Sequence, residues 1–394
     1  MARKKESSQV DFDCALSGFL GHPIEQHATA MMPVIVEKLC NIGITDAEQL
    51  LGVAGIPDVY GHLAEFLEVS KIELEAAVKE ARRVVPESVA QEVEVPVSYS
   101  YALGVLPPTP DMVAAAEKSI ESDTSTRVLQ SSVNLIAQMP SVRFQASRGT
   151  CVAFTVTAIH DYATRLVSSQ PNDFSEQHIY YETKLIDGAS ASCGTWQEKA
   201  AIALANRGQC LESIWPYDPN PPCNNHGAIP QNARPNGLNY RFQLVAIPAR
   251  DVQAIKTALV GKKPVGISIP VYNSWYQSSE TKRTGRLNMR IGTEPSVGGH
   301  AVCLVGYQDS SSSPGGGYFI LRNSWSTSWG YECPYGAGYG TIPYQYISND
   351  NWEAFTPASV AAEEQERTDD VIQSDKSGRT ITIRVKGNVN LIIE

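Results

Sequence analysis

The chain has 394 residues, a formal net charge of −10 and 42% hydrophobic residues. It is too long for one ordinary domain and apolar enough for a substantial core. The acidic balance excludes a protein that binds nucleic acid mainly by neutralising phosphates, and no run approaching 18 apolar residues predicts a membrane span.

Residues 1–27 start MARKKESSQV, briefly basic, and then turn acidic. They lack an apolar stretch of signal-peptide length, so a flexible N-terminus on a cytoplasmic protein is expected. In a reducing cytosol the eight cysteines, Cys14, Cys40, Cys151, Cys193, Cys210, Cys223, Cys303 and Cys333, are expected as free thiols rather than a disulfide framework. None forms a CxxC pair, so zinc-ribbon and redox motifs lose their support, and neither metal nor cofactor is expected. Cys303, within AVCLVGY, reads as a small buried hydrophobe.

Residues 28–85 read as a small all-α module. ATAMMPVIVEKLCNIGI is amphipathic and ends near Gly43. Thr45 to Glu48 form one capping box, and Ser70 to Glu73 form another that opens KIELEAAVKEARRVV. Pro57 suits the first turn of PDVYGHLAEFLEV. Four short helices with Gly-Ile turns suggest a helix-hairpin-helix-like bundle. Without a basic surface it is better suited to a protein partner than to a spacer role or nucleic acid.

Residues 86–126 alternate Val, Ser and Tyr before a run of prolines, which predicts an edge strand leading into a linker. Residues 127–357 mix helix and strand patterns, and 358–378 read as an acidic linker. TITIRV and NVNLII, flanking Lys386-Gly387-Asn388, predict a C-terminal hairpin over 379–394 that could extend a sheet begun by 92–101.

Three stretches carry chemistry. In QASRGTCVAF, Cys151 precedes apolar residues at 152, 156, 159, 163 and 166, a helical spacing. A thiol at a helix N-terminus meets free amides and the positive end of the macrodipole, which favour the thiolate. In SVGGHAVCLVGY, His300 opens an apolar strand. In YFILRNSW, Asn323 closes another strand, so adjacent strands would let its amide oxygen orient the His300 imidazole, with Trp325 shielding the bond from water. Each feature alone has a structural reading. Together they read as nucleophile, base and orienter. His160 and Asp161, mid-helix, read as structural or solvent-facing, and His178 and His226 show no metal-ligand spacing.

QASRGTCVAF, GGHAVCLVGY and LRNSWSTSWG resemble, in order, the signature blocks of papain-like cysteine peptidases. The resemblance covers roughly 127–357 and implies an α+β, two-lobed papain-like fold, a helical lobe plus a β-rich lobe, preceded by the small all-α bundle. His300 follows Cys151 by 149 residues and Asn323 by 172, the latter beyond the usual range of about 130–150, with DSSSSPGGG at 309–317 as the expected insertion. By resemblance Gln145 is the oxyanion-hole glutamine, and Gly194, Thr195, Trp196, Gly299 and Trp325 line substrate subsites. Cys193 and Cys223 occupy positions of a family disulfide. The sequence departs from the family where Arg148-Gly149-Thr150-Cys151-Val152 replaces Cys-Gly-Ser-Cys-Trp and where Ala146 replaces a usual Gly, changes similar to those in bacterial rather than lysosomal members.

The resemblance implies a thiol endopeptidase acting on protein or peptide substrates, without nucleic acid or membrane partners. An acyl transferase using the same residues and a non-catalytic peptide-binding scaffold are the rivals. The familiar helical propeptide motif is not found in residues 1–126. Recruitment of a protein partner by 28–85 is the preferred role for this region, and inhibition of the cleft by 96–126 is the alternative.

Overall fold

The computed structural model describes residues 21–24, 33–98, 101–113, 129–167, 172–220 and 226–359, and the backbone of 369–374 and 380–385. Five helices come first: α1 (Pro33–Asn41), α2 (Ala47–Ala54), α3 (Pro57–Leu67), α4 (Lys71–Val84) and α5 (Glu87–Val93). Their ends follow local chemistry. Ser70 and Glu73 close a reciprocal capping box on α4, and Pro57 opens α3. On α2 the cap is Asp46, one residue later than predicted: its side chain accepts from the Gln49 amide.

Asp46 has a second task. The same carboxylate pairs with Arg286 of the β-rich lobe, both side chains buried. Seven residues of α2, Ala47 to Val53, are buried, which one amphipathic stripe cannot explain. α2 is therefore enclosed, with α4 and α5 among its neighbours and the Ser279–Thr284 helix against another face. The amide of Met289 donates to the Ile42 carbonyl at 2.8 Å, and the amide of Val97 to Gln277 at 2.8 Å. The apolar cores of the N-terminal helices and the rest of the chain form one cluster.

Seven antiparallel strands make the main sheet, in the order β2 (Leu244–Ala246), β7 (Glu353–Pro357), β3 (Val265–Tyr272), β4 (Ser296–Asp309), β5 (Gly317–Arg322), β6 (Tyr339–Pro343), with β1 (Ser132–Asn134) also paired to β4. The expected insertion, 309–317, is the β4–β5 connection. A central helix, Cys151–Val167, packs on β4 and β3. Gly266 on β3 permits the close approach, since a Cβ there would lie 2.9 Å from Thr155 Cγ2 and 3.2 Å from Ile159 Cδ1. The helices Glu176–Lys184 and Gln197–Arg207 complete the helical lobe.

Two expectations change. Residues 92–98 form no strand: Val93 ends α5, where Ala90 and Val93 are buried at helical spacing, so one valine served both periodicities. At the C-terminus, Thr380–Val385 pairs with Asp369–Ser374 in a separate two-stranded sheet. The first of these strands was read as linker, because its acidic start masked the Val371-Ile372 core. Residues 388–393, the expected partner, lie outside the described residues.

Replacing Arg286 by Met should leave Asp46 and Glu280 facing each other without their shared cation. A loss of about 3–5 kcal/mol is expected for a buried pair deprived of one partner, read as a lower urea midpoint of the full chain. An unchanged midpoint would mean that the pair does not fasten the N-terminal helices.

Candidate active site

Cys151 is the first residue of the central helix and is fully buried. The turn before it is held by the Arg148 carbonyl, which accepts the Thr150 amide at 2.8 Å and Gln145 Nε2 at 2.9 Å. Ala146 lies at φ 54°, a left-handed conformation that costs a non-glycine residue about 1–2 kcal/mol. The alanine that replaces the family's usual Gly is thus strained. Gln145 is locked on three further sides: its Oε1 accepts from Ser324 Oγ at 2.6 Å, its carbonyl from Tyr217 Oη at 2.8 Å, and its amide donates to the Ser324 carbonyl.

β4 brings the second group. His300 pairs across to Ile269 on β3, and the amide of the next residue, Ala301, donates to Cys151 Sγ at 3.4 Å. Asn323 follows β5, whose Arg322 is in register with Cys303 on β4. His300 Nε2 is 2.9 Å from Asn323 Oδ1. That oxygen also accepts the Ser324 amide at 2.8 Å, which fixes the amide's orientation. An amide oxygen only accepts, so the His300 proton sits on Nε2 and Nδ1 keeps its lone pair. Nδ1 is buried and makes no hydrogen bond among the described residues. Trp325 stacks on the His300 ring at 4.4 Å.

The remaining predicted residues all meet one stretch of the chain itself. Residues 101–107 lie extended between the lobes. The amides of Gly104 and Val105 donate to the Gly299 carbonyl at 3.1 and 3.0 Å, and the Leu106 amide and the Gly104 carbonyl pair with Thr195 at 3.1 Å each. Trp196 Nε1 donates to the Pro107 carbonyl at 3.0 Å. Leu106 lies over Gly194, and Tyr101 stacks on Trp325 at 5.2 Å. The second hydrogen of Gln145 Nε2 goes to the Ala102 carbonyl at 2.8 Å. Gly104 is the point of closest approach: a Cβ there would overlap the backbone of Gly149. Residues 101–107 fall within the 96–126 segment given above as the alternative occupant of the cleft, whereas Ser324 and Tyr217 were not among the expected site residues. Ser324 was visible only as a neighbour of Asn323, while Tyr217 carried no local signal.

Burial under this cover sets the protonation states. It pushes the Cys151 thiol up to about 11, against the opposing amides of Ala301 and Gly104. It pushes the His300 imidazole down to about 4, against the Asn323 hydrogen bond. Both groups are therefore neutral at pH 7 in the covered site.

Other residues are structural. His160 and Asp161 are both buried rather than solvent-facing: His160 bonds Gln209 and stacks on Phe174, and Asp161 pairs with Arg143. His178 Nδ1 accepts the Cys210 amide at 3.0 Å. Cys151, Cys210, Cys303 and Cys333 are free, whereas Cys40 and Cys193 are disulfide-bonded, which corrects the expectation of free thiols for those two. Cys14 and Cys223 lie outside the described residues. Among the described residues no group of three or more His, Cys, Asp or Glu could hold a metal ion.

A cysteine at a helix N-terminus whose sulfur meets the residue next to a strand-borne histidine, itself bonded to an asparagine, in a two-lobed fold, defines the class of papain-like thiol proteins. The profile described as papain family cysteine protease matches residues 131–343, more than half of the chain, and the chain belongs to that family. It is 28% identical over 218 residues to an uncharacterized peptidase C1-like protein of Acanthamoeba polyphaga mimivirus, covering 52% of this chain and 65% of that protein. It is 28% identical over 198 residues to a cysteine proteinase of Brassica napus, covering 49% and 54%. The match thus spans about half to two thirds of these relatives. The fold is shared with xylellain, a cysteine protease from Xylella fastidiosa, at TM-score 0.51 and 23% identity, covering 66% of this chain and 96% of that one.

The neutral pair predicts slow alkylation of Cys151 by iodoacetamide in the full chain at pH 7. A raised thiol pKa depletes thiolate at every pH below it, so the rate should climb as pH rises toward 11. Fast labelling near pH 5 would instead report a thiolate–imidazolium pair already formed under the cover.

Proposed function

We propose that the chain is a cysteine endopeptidase whose cleft is held closed by its own residues 101–107. The observation that carries the catalytic half is that the Ala301 amide reaches the Cys151 sulfur while the adjacent His300 is bonded to Asn323, with the Gln145 side chain held by the turn before Cys151. The thiol proton passes to His300 Nδ1, and Cys151 Sγ attacks the substrate's carbonyl carbon. The oxyanion that forms takes hydrogen bonds from Gln145 Nε2 and the Cys151 amide. His300 then protonates the leaving amine, which departs as the thioester forms. Water, deprotonated by the same imidazole, attacks the thioester, releases the acid and restores the thiol. Asn323 keeps the ring in the required tautomer.

Latency is favoured over partner recruitment by the Ala102 carbonyl, which occupies the Gln145 donor an oxyanion would need. Packing of α2 into the β-rich lobe removes the premise of a self-contained recruiting module. Gly194, Thr195, Trp196, Gly299 and Trp325, which the strap contacts, are proposed as the surfaces that take a peptide once it leaves. Acyl transfer would use the same residues, and no contact among the described residues favours it.

Location is proposed from the cysteines. Disulfides persist in oxidising compartments, so the bonded Cys40 and Cys193 weigh against the cytoplasmic location read from the sequence. Among the described residues no helix is long and apolar enough to cross a membrane.

Two substitutions in the full chain separate the claims. Gly104→Val places a side chain against the Gly149 backbone and should expel the strap, raising peptide hydrolysis and Cys151 alkylation about tenfold or more, the equivalent of one or two lost hydrogen bonds. Unchanged rates would sink the latency reading. In the chain that hydrolyses, Gln145→Ala should lower kcat about 10²–10³-fold and Cys151→Ala should abolish turnover. Hydrolysis that survives Cys151→Ala would remove the peptidase mechanism itself.

A further inference from the structure

Arg148 stands three residues before the nucleophile, where the family run has cysteine, and its side chain is almost wholly buried. Burying a guanidinium is costly unless its charge and donors are matched. No carboxylate pairs with it among the described residues. Instead the guanidinium lies between two aromatic faces, 5.3 Å from the Tyr180 ring and 5.4 Å from the Tyr217 ring. One nitrogen, Nη1, donates to Gln177 Oε1 at 2.7 Å and to the Asp218 carbonyl at 2.5 Å. The side chain is thereby fixed to both the Glu176–Lys184 helix and the 217–218 loop.

The backbone of the same residue faces the catalytic groups. Its carbonyl accepts Gln145 Nε2 and the Thr150 amide. Tyr217, which carries one of the two ring faces on Arg148, also grips both ends of this loop. Its hydroxyl lies 2.8 Å from Thr150 Oγ1 and donates to the Gln145 carbonyl at 2.8 Å. Gln145, Arg148, Thr150 and Tyr217 therefore close a ring of contacts around the turn that leads into Cys151.

We infer that Arg148 is a positioning residue: its clamped side chain fixes the direction of its own carbonyl, and that carbonyl aims the Gln145 amide at the oxyanion. The inference rests on the peptidase reading above. One hydrogen of Nε2 is spent on the Arg148 carbonyl, which leaves the other pointing into the cleft, where the Ala102 carbonyl now accepts it. Lysine lacks the flat face that lies between two rings. A purely apolar residue could fill the space but would let the carbonyl turn.

The test uses the full chain in whichever background hydrolyses a peptide amide, wild type or Gly104→Val. Arg148→Met should lower kcat about 10- to 100-fold, the usual effect of a small misplacement of a catalytic donor, with KM little changed. Affinity for a peptide aldehyde, whose hemithioacetal oxygen occupies the oxyanion position, should fall in parallel. Iodoacetamide alkylation of Cys151, which develops no oxyanion, should keep its rate and pH profile. Arg148→Lys should recover only part of the loss. Tyr217→Phe, which removes the hydroxyl bonds at nearly constant volume, should show the same split and serves if the Met variant does not fold. Equal kcat and aldehyde affinity in Arg148→Met and its parent would overturn the inference while leaving the peptidase reading intact. So would an alkylation rate or pH profile that falls together with kcat, since that marks a structural or electrostatic role. Absence of both hydrolysis and aldehyde binding in wild type and Gly104→Val would instead defeat the peptidase reading, and this inference with it.

Discussion

The site depends on one contact between lobes: the Ala301 amide on the Cys151 sulfur. It joins the first residue of the central helix to the strand that carries His300. A shift of either lobe would part the Cys151 sulfur from the strand that carries His300, so the packing of that helix on β3 and β4 holds the geometry of the proposed site as well as adding stability. Gly266, which allows the helix to approach the sheet, and the β4–β5 pairing, which brings Asn323 to His300, both serve that single meeting point.

The loop before the nucleophile is held by two arginines that solve burial in different ways. Arg143 meets acids: Asp161, Asp173 and Glu176 all pair with it. Burial pushes Glu176 up to about 7 and Asp161 to about 6, with Arg143 opposing in each case. Arg148 meets aromatic faces and a carbonyl. The strain at Ala146 sits between the two anchors, where both ends of the turn are already fixed and the backbone cannot relax by swinging out. Strain of this kind persists when its surroundings over-determine the conformation.

The segments that carry the candidate residues were legible because their signals are local. Cys151 opens a helix and Asn323 follows a strand whose periodicity could be read, and the capping box at Ser70 was legible for the same reason. The strap was not. Residues 101–107 pair with Thr195 on one side and Gly299 on the other, through isolated bridges to two partners far apart in sequence. No alternation within the segment records such pairing, and the period-2 pattern just before it pointed to a strand that is partly α5. Asp46 illustrates a related limit. A Thr-Asp pair ahead of a helix offers two caps, and both side chains are also engaged by Arg286, 240 residues from Asp46.

The N-terminal helices gain meaning from what they hold. A seven-residue strap with four backbone–backbone hydrogen bonds, each worth about 1 kcal/mol net, would bind a separate enzyme weakly once the entropy of ordering it is counted. Tethering changes the balance. The Val97 amide on Gln277 and the Ser279 hydroxyl on the Val95 carbonyl fasten the chain just upstream of the strap, and α2 is anchored through Asp46. A short tether of this kind presents its ligand at millimolar effective concentration, so a modest set of contacts can exclude substrate. If residues 101–107 close the cleft as proposed, the same arithmetic makes that closure reversible. Loosening the anchor at Arg286, far from the thiol, would lower the effective concentration without touching a single contact in the cleft, so the lock and the catalytic groups can be altered independently.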